Sequence, residues 1–550
     1  MTTPRPAAVI VLAAGEGTRM RSSAPKVLHT LGGRSMLGHA LAAANELEPG
    51  RVVVVVRHGR EQVVEHLRAL DPNALVADQD EIPGTGRAVQ CGLSVLDAAA
   101  HADVARDREG SRAQPEGGHI DGAVVVIAGD VPLLDGATLG ELLAAHTADG
   151  NAVTVLTTEV DDATGYGRIV REPGTGDVLE IVEQRDADEA QRAITEINSS
   201  IYVFDAAALR GALGRLGRDN AQGEVYLTDV LALARADGGA VRALRTDDPL
   251  LVQGVNDRLQ LATLRAELNR RTLEEWMLAG VTVVDPATTW VDVDVELAQD
   301  VTLLPGTQLH GKTVVATGAT IGPDTTLTDV QVGEGSTIVR THGSHAVIGA
   351  DSLVGPFAYL RPGTVLGDHA KIGTFVETKN ATIGAGSKVP HLSYVGDATI
   401  GEETNIGAAS VFVNYDGVSK HHTTIGSYAR TGSDNMFVAP VTVGDGAYTG
   451  AGSVIRRDVP PGALAVNSGA QRNIDGWVLR SRSGTPAAEA AARALAELGE
   501  DPDLSPQARD ERARAGLAAT ATHPSPPPTL PQPAVRETPS APVAITKETP

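Results

Sequence analysis

A six-residue rhythm is the feature that most constrains this chain. From Ile348 to about Val459 an aliphatic or Thr residue recurs nearly every six positions, usually followed by Gly. A helix would need apolar residues three and four apart, and a flat strand would alternate strictly. A six-residue period with small turn residues is instead typical of a β-solenoid, in which about eighteen residues close one triangular coil. We therefore predict a parallel β-helix with the repeating residues stacked inside.

Composition and charge limit the remaining possibilities. The 550 residues should hold more than one domain, and with only 3% aromatics their cores must depend on Val, Leu, Ile and Ala. A net charge of −23 argues against a nucleic-acid or acidic-membrane partner, so phosphates would need local cations, backbone amides or a metal. Cys91 is the only cysteine, and no apolar run reaches the length of a bilayer span. We expect a cytoplasmic protein.

The first domain, residues 1–245, alternates strand-like and helical patterns, which predicts a parallel sheet covered by helices. The predicted strands are Ala8–Leu12, Arg51–Val56, Ala123–Ile127 and Ala152–Leu156, and the predicted helices are Ser35–Glu46, Arg60–Ala69, Gly86–Leu96 and Ala137–His146. The polar stretch His101–Gly122 is expected to be a surface insertion.

Three further segments follow the first domain. Residues 246–280 are predicted to be a helical linker, with its helix over Gln253–Leu278. The β-helix is expected over residues 281–480. Residues 481–550 form an Ala/Pro-rich tail that we expect to be disordered, apart from a possible helix at Pro486–Leu498.

A glycine-rich turn, Leu12–Met20, follows the first predicted strand directly. Backbone N–H groups in such a turn can point at an anion. Met20 replaces the third Gly of a dinucleotide fingerprint, and the Gly-Lys-Ser/Thr of a P-loop is absent. The nearby cations Arg19 and Lys26 could neutralise a triphosphate. The alternative is a strand-to-helix turn with surface cations.

Other polar residues support the phosphate interpretation. Gln79, Gly84 and Thr85 lie between the predicted helices Arg60–Ala69 and Gly86–Leu96 and could read the edge of a nucleotide base. Asp130 follows the strand Ala123–Ile127, where it could be a Mg²⁺ ligand or merely a capping residue. Further segments could form the wall of a sugar pocket, and their polar or flexible residues are Gly167, Glu183, Asn198 and Asn256.

The β-helix carries a second set of polar residues where side faces usually carry Ser, Thr and small residues. This set comprises Arg361, Lys379, His391, Tyr394, Asn405, Asn414, Tyr415, Ser433 and the run Lys420, His421 and His422. His391 can take up a proton near neutral pH, as acetyl transfer to an amine requires, although a single exposed His is more often a surface residue. The excursion Asn414–Thr424 leaves the six-residue rhythm and is long enough to reach a neighbouring prism.

Residues 7–480 as a whole resemble the bacterial family of bifunctional N-acetylglucosamine-1-phosphate uridyltransferases and glucosamine-1-phosphate acetyltransferases. The resemblance implies an α/β Rossmann-like nucleotidyltransferase domain followed by a left-handed parallel β-helix of hexapeptide repeats. It implies acetylation of glucosamine-1-phosphate by acetyl-CoA, then coupling of the product to UTP. The product, UDP-N-acetylglucosamine, is a precursor of peptidoglycan. Mg²⁺ and a homotrimer are also implied.

The same resemblance assigns roles to individual residues. Those that would bind nucleotide and amino sugar are Leu12, Ala13, Ala14, Gly15, Arg19, Lys26, Gln79, Gly84, Thr85, Gly167, Glu183, Asn198 and Asn256, with Asp130 and Asn256 as the Mg²⁺ ligands. In the acetyltransferase, His391 would be the catalytic base. The sugar phosphate would be held by Arg361, Lys379, Tyr394, Asn405 and Tyr415, and acetyl-CoA by Ala408, Asn414, Ser433 and Ala451.

One position departs from the family pattern. Ser468 stands where the family often has an Arg that contacts CoA, and Arg456, Arg457 or Arg472 could replace it. Two other functions stay open from the residues alone. One is a single-activity sugar nucleotidyltransferase whose β-helix serves assembly or regulation, as in ADP-glucose pyrophosphorylases. The other is a non-enzymatic scaffold, which leaves Lys26, Asp130 and Asn256 unexplained.

Overall fold

The computed structural model describes residues 4–107, 118–467, 469, 471 and 473–499. The first 250 or so residues form a nine-stranded sheet with an added hairpin. The strands are β1 Ala8–Ala13, β2 Thr30–Leu31, β3 Arg34–Ser35, β4 Val52–Val56, β5 Leu75–Asp78, β6 Ala123–Ala128, β7 Val153–Glu159, β8 Arg168–Arg171, β9 Val178–Val182, β10 Glu196–Asp205 and β11 Val241–Thr246. The hairpin is β2–β3.

Helices lie between these strands. They are α1 Met36–Glu46, α2 Arg60–Leu70, α3 Thr85–Asp107, α4 Gly136–Asp149, α5 Glu189–Arg192, α6 Ala206–Leu213, α7 Asp229–Ala236 and α8 Arg258–Leu278, with 3₁₀ turns at Thr18–Met20, Lys26–Leu28 and Pro249–Val252. All four predicted helices of this domain are present. The predicted insertion His101–Gly122 begins inside α3, and its residues 108–117 lie outside the described part of the chain.

The sheet order is β11-β7-β10-β6-β1-β4-β5. The prediction of a parallel sheet holds for β6, β1, β4 and β5 but is wrong for β10, which runs antiparallel to β6 and β7. β8 pairs antiparallel with both β9 and β10, so this part of the chain adds antiparallel pairing to the sheet. The carboxyl ends of β1, β4, β5 and β6 still meet at one edge, where the polar residues follow.

Valine packing explains why this sheet is buried on both faces. Successive residues of β4 alternate between two cores: Val53 and Val55 pack into one, and Val52, Val54 and Val56 pack into the other. Strands covered on both faces read as continuous apolar runs. The two helical layers therefore fix the sheet, and the loops at its carboxyl edge are free to carry polar groups.

The linker helix starts later than predicted. The Asp257 side chain accepts hydrogen bonds from the N–H groups of Leu259 and Gln260, so α8 begins at Arg258 and not at Gln253. On α8, Asn269 bonds the carbonyl oxygen of Thr289 at 2.9 Å and the N–H of Val291 at 3.0 Å. This side chain joins α8 to the first coil of the following domain.

The next part of the chain is the predicted parallel β-helix, and it is left-handed. One face contains the strands Thr282–Val283, Thr302–Leu303, Thr320–Ile321, Thr337–Ile338, Leu353–Val354, Lys371–Thr374, Lys388–His391, Tyr448–Thr449 and Leu464–Ala465. The strands of the other faces are Trp290–Val291, Glu296–Leu297, Gln308–His310, Val314–Val315, Thr326–Thr328, Gln331–Val332, Thr341–Ser344, Val347–Ile348, Ala358–Leu360, Thr364–Leu366, Glu377–Ile383, Tyr394–Ile400, Val411–Val413, Thr423–Ile425, Met436–Val438, Val441–Val443 and Val454–Ile455.

The repeating aliphatic residues form the solenoid core, as the period predicts. Val354, Ile372 and Val389 are buried and lie in register on successive coils. The coil that contains Asn414–Thr424 is longer than the others, since Thr382 pairs with Thr399 but Thr399 pairs with Thr424. The predicted excursion is therefore a loop that leaves the stack of strands unbroken.

Contacts divide the chain into two units, Met1–Ser468 and Gly469–Pro550, and the last described strand of the first unit is Leu464–Ala465. The second unit, as far as it is described, contains α9 Trp477–Ser481 and α10 Pro486–Glu497. The helix predicted at Pro486–Leu498 is present, whereas the tail from residue 500 lies outside the described residues. Across the described ranges, no helix combines the length and apolar character that a membrane crossing requires.

Candidate active sites

A lysine joins the two predicted metal ligands at the carboxyl edge of the sheet. The Lys26 ammonium forms an ion pair with Asp130 and lies 3.3 Å from Asn256 Oδ1. These side chains come from a 3₁₀ turn, from the end of β6 and from the segment before α8. The Lys26 and Asp130 side chains are largely buried, with 12% and 22% of their surface exposed. One carboxylate and one amide oxygen thus converge on a single cation.

The glycine-rich turn packs directly on this group. Gly17 has φ +65°, and a Cβ at this position would lie 2.6 Å from Lys26 Cβ. Leu12 accepts a hydrogen bond from the N–H of Gly129 at 2.9 Å, which ties the turn to the residue before Asp130. Among the other predicted turn residues, Ala13 is the last residue of β1, and Ala14 and Gly15 follow it. Arg19 lies in the 3₁₀ turn and is exposed.

Gln79 supports the loop before α3. Its Nε2 donates to the carbonyl oxygens of Ile82 at 3.0 Å and Gly84 at 3.2 Å. Gly84 has φ +119°, and a Cβ there would lie 2.2 Å from the carbonyl oxygen of Val225. Thr85 begins α3 and accepts from the N–H of Leu227 at 3.2 Å. The Nε2 group of Gln79 therefore donates within the loop, and only its Oε1 atom remains available to a nucleotide base.

A cavity of about 210 Å³ brings four predicted residues together. They are Leu12, Thr85, Glu183 and Asn198. Gly167 lies beside them, since its carbonyl oxygen accepts from the N–H of Asn198 at 2.9 Å. The cavity is also lined by residues that the sequence did not single out: Ser200, Tyr202, Gln222, Glu224, Tyr226, Leu227 and Thr228.

Tyr202, which the sequence analysis did not single out, fixes the orientation of the Asn198 side-chain amide. Tyr202 donates its hydroxyl to Asn198 Oδ1 at 2.9 Å, and the N–H of Ser200 donates to the same oxygen at 3.0 Å. The Asn198 Nδ2 group is thereby left as a donor toward the cavity. The strand is irregular between Asn198 and Tyr202, with Ser200 at φ +62°, so no regular alternation in the sequence could have placed Tyr202 beside Asn198.

Glu183 lies in an environment that disfavours its charge. Burial, followed by repulsion from Asp186 and Asp229, raises the pKa of Glu183. Burial also raises the pKa of Tyr202 well above its ordinary value, so its hydroxyl stays protonated and remains a donor. The cavity therefore offers both donors and acceptors, as a polyhydroxylated ligand needs.

On the β-helix, the predicted residues His391, Ala408, Ser433 and Ala451 occupy one corner of successive coils. The carbonyl oxygen of His391 accepts from Ala409 at 3.2 Å, that of Ala408 accepts from Asp434 at 2.7 Å, and that of Ser433 accepts from Gly452 at 2.9 Å. A Cβ on Gly432 would lie 2.4 Å from the N of Ala451. A histidine therefore stands at one end of a column of small residues that leaves room for an extended ligand.

A cationic cluster lies on a neighbouring face. Arg361 forms an ion pair with Glu377 at 2.8 Å. Lys420, from the loop, lies close enough to Lys379 to lower the pKa of that ammonium, with Arg361 acting in the same direction and Asp397 opposing it. Sequence analysis singled out Lys420 among the polar residues of the β-helix but gave it no role. The cluster is suited to an anion such as a phosphate.

Asn414 is held at the start of the loop. Its Nδ2 donates to Asp397 and lies 3.4 Å from the Tyr394 hydroxyl. Tyr415 is more than half exposed and donates its hydroxyl to the carbonyl oxygen of Gly417 at 2.6 Å, so it is turned into its own loop. Asn405 lies on the adjacent face, and its N–H donates to Ala429 at 3.0 Å.

Some predicted residues are not brought together. Within the described ranges, the His391 ring makes no hydrogen bond or ion pair, and it is exposed. Arg456 and Arg457 are exposed beyond the last long strands, while Ser468 and Arg472 lie outside the described residues. On one prism, His391 and the small-residue column therefore share a corner, whereas the cationic cluster lies on a neighbouring face.

The chain is similar to known families over both domains. The model of the MobA-like NTP transferase domain matches residues 9–250, and that of the bacterial transferase hexapeptide (six repeats) matches residues 345–380. A relative named bifunctional protein GlmU from Kineococcus radiotolerans is 65% identical over 489 residues, covering 89% of this chain and 95% of the relative.

Two further relatives carry the same name. The one from Paenarthrobacter aurescens is 61% identical over 489 residues, covering 89% of this chain and 95% of its own length. The one from Streptomyces avermitilis is 60% identical over 491 residues, covering 89% of this chain and 98% of its own length. The similarity therefore extends through both the sheet domain and the β-helix.

Proposed function

Because the chain belongs to the family of bifunctional GlmU proteins, we propose that its two polar sites divide two reactions between them. The enzyme acetylates glucosamine-1-phosphate with acetyl-CoA and couples the product to UTP, giving UDP-N-acetylglucosamine and pyrophosphate. In our proposal, residues 1–245 carry uridylyl transfer and the β-helix carries acetyl transfer. The convergence of Lys26, Asp130 and Asn256 is the single observation that carries the first assignment.

Uridylyl transfer requires little covalent chemistry from the protein. An oxygen of the sugar phosphate attacks the α-phosphorus of UTP, and the bond to pyrophosphate breaks. Arg19 and Lys26 would neutralise the triphosphate, while Leu12–Gly15, Gln79, Gly84 and Thr85 would hold the nucleotide. Gly167, Glu183 and Asn198 would bind the amino sugar in the cavity. Positioning and charge neutralisation account for most of the rate in such a reaction.

The donors around Lys26 fit Mg²⁺. Asp130 and Asn256 present one carboxylate and one amide oxygen to a common point that already accepts a cation. Mg²⁺ prefers oxygen ligands, keeps several waters and needs few protein groups. When bound, it would withdraw charge from the phosphate oxygens. Asp130 and Asn256 would hold the ion, and Lys26 would then be free to face the phosphates.

Acetyl transfer would occur at the corner of the β-helix. His391 would take a proton from the sugar amine, whose nitrogen attacks the thioester carbonyl. The C–S bond then breaks, and the CoA thiolate leaves and regains a proton. Arg361, Lys379, Tyr394, Asn405 and Tyr415 would bind the sugar phosphate. The column Ala408, Ser433 and Ala451, with Asn414, would hold acetyl-CoA. Hydrogen-bond donors of the column would stabilise the oxyanion.

We also propose a cytoplasmic homotrimer. The loop Asn414–Thr424 leaves the prism and can reach a neighbour. Phe357 and Phe375 stack at 5.4 Å on successive coils, with 54% and 57% of their surface exposed, and Leu392 follows on the next coil. Such an apolar ridge favours packing against another prism. A composite site would then explain why the predicted acetyltransferase residues lie apart on one chain.

A paired assay tests the division of labour. Asp130→Ala should abolish uridylyl transfer and leave acetyl transfer intact, whereas His391→Ala should do the reverse. Each variant serves as the folding control of the other. Loss of both activities in either variant, or retention of the targeted one, would contradict the assignment.

A further inference from the structure

Asp397 lies at a corner of the β-helix and belongs to neither set of predicted residues. It has φ +48° and lies one coil beyond Asn380, which has φ +45° at the equivalent corner. Its carboxylate accepts from Asn380 Nδ2 at 2.8 Å and from Asn414 Nδ2. Asp397 therefore stands at the base of the loop Asn414–Thr424 and binds its first residue.

The carboxylate determines which end of the Asn414 amide faces outward. A carboxylate is an acceptor only, so the Asn414 oxygen cannot turn toward it without repulsion. Asn414 Nδ2 is used by Asp397 and lies near the Tyr394 hydroxyl, and the side chain is buried. Asn414 Oδ1 makes no hydrogen bond within the described residues, so it remains as an acceptor.

Asp397 also faces two cations. Burial tends to raise the pKa of Asp397, but hydrogen bonds from Asn380 and Asn414 and the charges of Lys379 and Lys420 outweigh it and lower the pKa. The carboxylate is therefore ionised at neutral pH. Because its charge opposes the cationic cluster, its removal should not weaken the binding of a sugar phosphate.

We propose that Asp397 is a positioning residue for acetyl transfer, which fixes the Asn414 amide so that its oxygen accepts an N–H of a bound substrate. The proposal rests on the proposed acetyl-transfer site. Asp397 itself does not touch the reacting atoms. It acts through Asn414, and its effect is therefore expected on turnover rather than on sugar-phosphate binding.

The experiment uses the full-length enzyme and Asp397→Asn, which keeps the shape of the side chain. Acetyl-transfer kcat should fall by about ten-fold or more, because a charge-assisted hydrogen bond is lost. KM for glucosamine-1-phosphate should stay the same or fall. The matched control is Asp351→Asn, a corner aspartate with φ +52° that faces His369, and it should retain wild-type acetyl transfer.

A swapped pair supplies the rescue. Asp397→Asn combined with Asn414→Asp restores one donor and one acceptor with their positions exchanged, and should recover kcat relative to Asp397→Asn. A kcat within two-fold of wild type for Asp397→Asn would overturn the proposal. So would a rise in KM for both glucosamine-1-phosphate and acetyl-CoA without a fall in kcat. Unchanged uridylyl transfer verifies the folding of the sheet domain, and an unchanged mass in light scattering verifies that of the β-helix. Retained acetyl transfer in His391→Ala would instead refute the proposed site itself.

Discussion

The Tyr202 hydroxyl donates to Asn198 Oδ1 at 2.9 Å inside the cavity of the sheet domain. Tyr202 is almost completely buried, and its ring stacks on Phe204. The bond leaves Asn198 Nδ2 as a donor at the cavity. Asn414 on the β-helix shows the opposite arrangement, with its donor end used and its oxygen left as the acceptor. Each site thus contains an amide whose orientation is fixed by a neighbour.

Tyr202→Phe tests the first of these two arrangements. The substitution removes one hydrogen bond and keeps the ring, so the Asn198 amide retains only the bond from Ser200. We expect KM for N-acetylglucosamine-1-phosphate to rise by about three- to ten-fold, which corresponds to about 0.5–1.5 kcal/mol. Steady-state uridylyl transfer measures this. Tyr428→Phe, at an exposed corner of the β-helix, is the control, and an unchanged KM in Tyr202→Phe would contradict the role of the bond.

Glu183 should make stability depend on pH. Its folded-state pKa is raised, so the folded protein binds more protons than the unfolded chain above the ordinary value of 4.5. The stability contributed by the protonated form is present below that value and is lost as pH rises through the folded pKa. Glu183→Gln should therefore raise Tm relative to wild type at pH 8, with a smaller difference at pH 4.

Thermal unfolding of the two proteins across this pH range measures the effect. Glu183→Gln should also impair uridylyl transfer, because the residue lines the cavity. Glu172→Gln is a suitable control, since its carboxylate is paired with Arg235 and has a lowered pKa. A Tm difference between Glu183→Gln and wild type that does not grow with pH would show that the carboxylate is not destabilised by its surroundings.

Removal of divalent cations should separate the two activities. EDTA should abolish uridylyl transfer, because Asp130 and Asn256 are proposed to hold Mg²⁺, and should leave acetyl transfer unchanged. Asp130→Asn should need a higher Mg²⁺ concentration for half-maximal rate, by about ten-fold, since an amide replaces a charged ligand. Mg²⁺ titration at saturating UTP measures this shift. Equal sensitivity of both activities to EDTA would contradict the assignment.

The fold was largely accessible from local patterns, because the hexad period and the alternation of strands and helices are local properties. The antiparallel direction of β10 was not predicted. Strand direction depends on which distant strands pair, and a local sequence period carries no information about that pairing. Lys26 and Asp130 were each recognised, but their direct contact joins residues far apart in the chain. Asp397 was missed, and Lys420 was singled out without a role, for a similar reason: the loop and the coil corner meet only when the solenoid is wound.

The apolar ridge Phe357, Phe375 and Leu392 gives the last prediction. These side chains occupy the same corner of successive coils, and each is more than half exposed. Burial of such aromatic surface against a second prism would be favourable by about 25 cal/mol per Å². A charge placed in that contact would have to be desolvated. Phe375→Glu should therefore shift the enzyme from trimer to monomer.

Light scattering coupled to gel filtration measures the mass, and both activities are assayed on the same fractions. Acetyl transfer should fall with the loss of the trimer, because the loop Asn414–Thr424 is proposed to complete a neighbouring site, while uridylyl transfer should persist. Tyr428→Glu places the same charge at another exposed corner and should remain trimeric. A monomeric Phe375→Glu enzyme with full acetyl transfer would show that each prism carries a complete site, and the scattered positions of the acetyltransferase residues would then need another explanation.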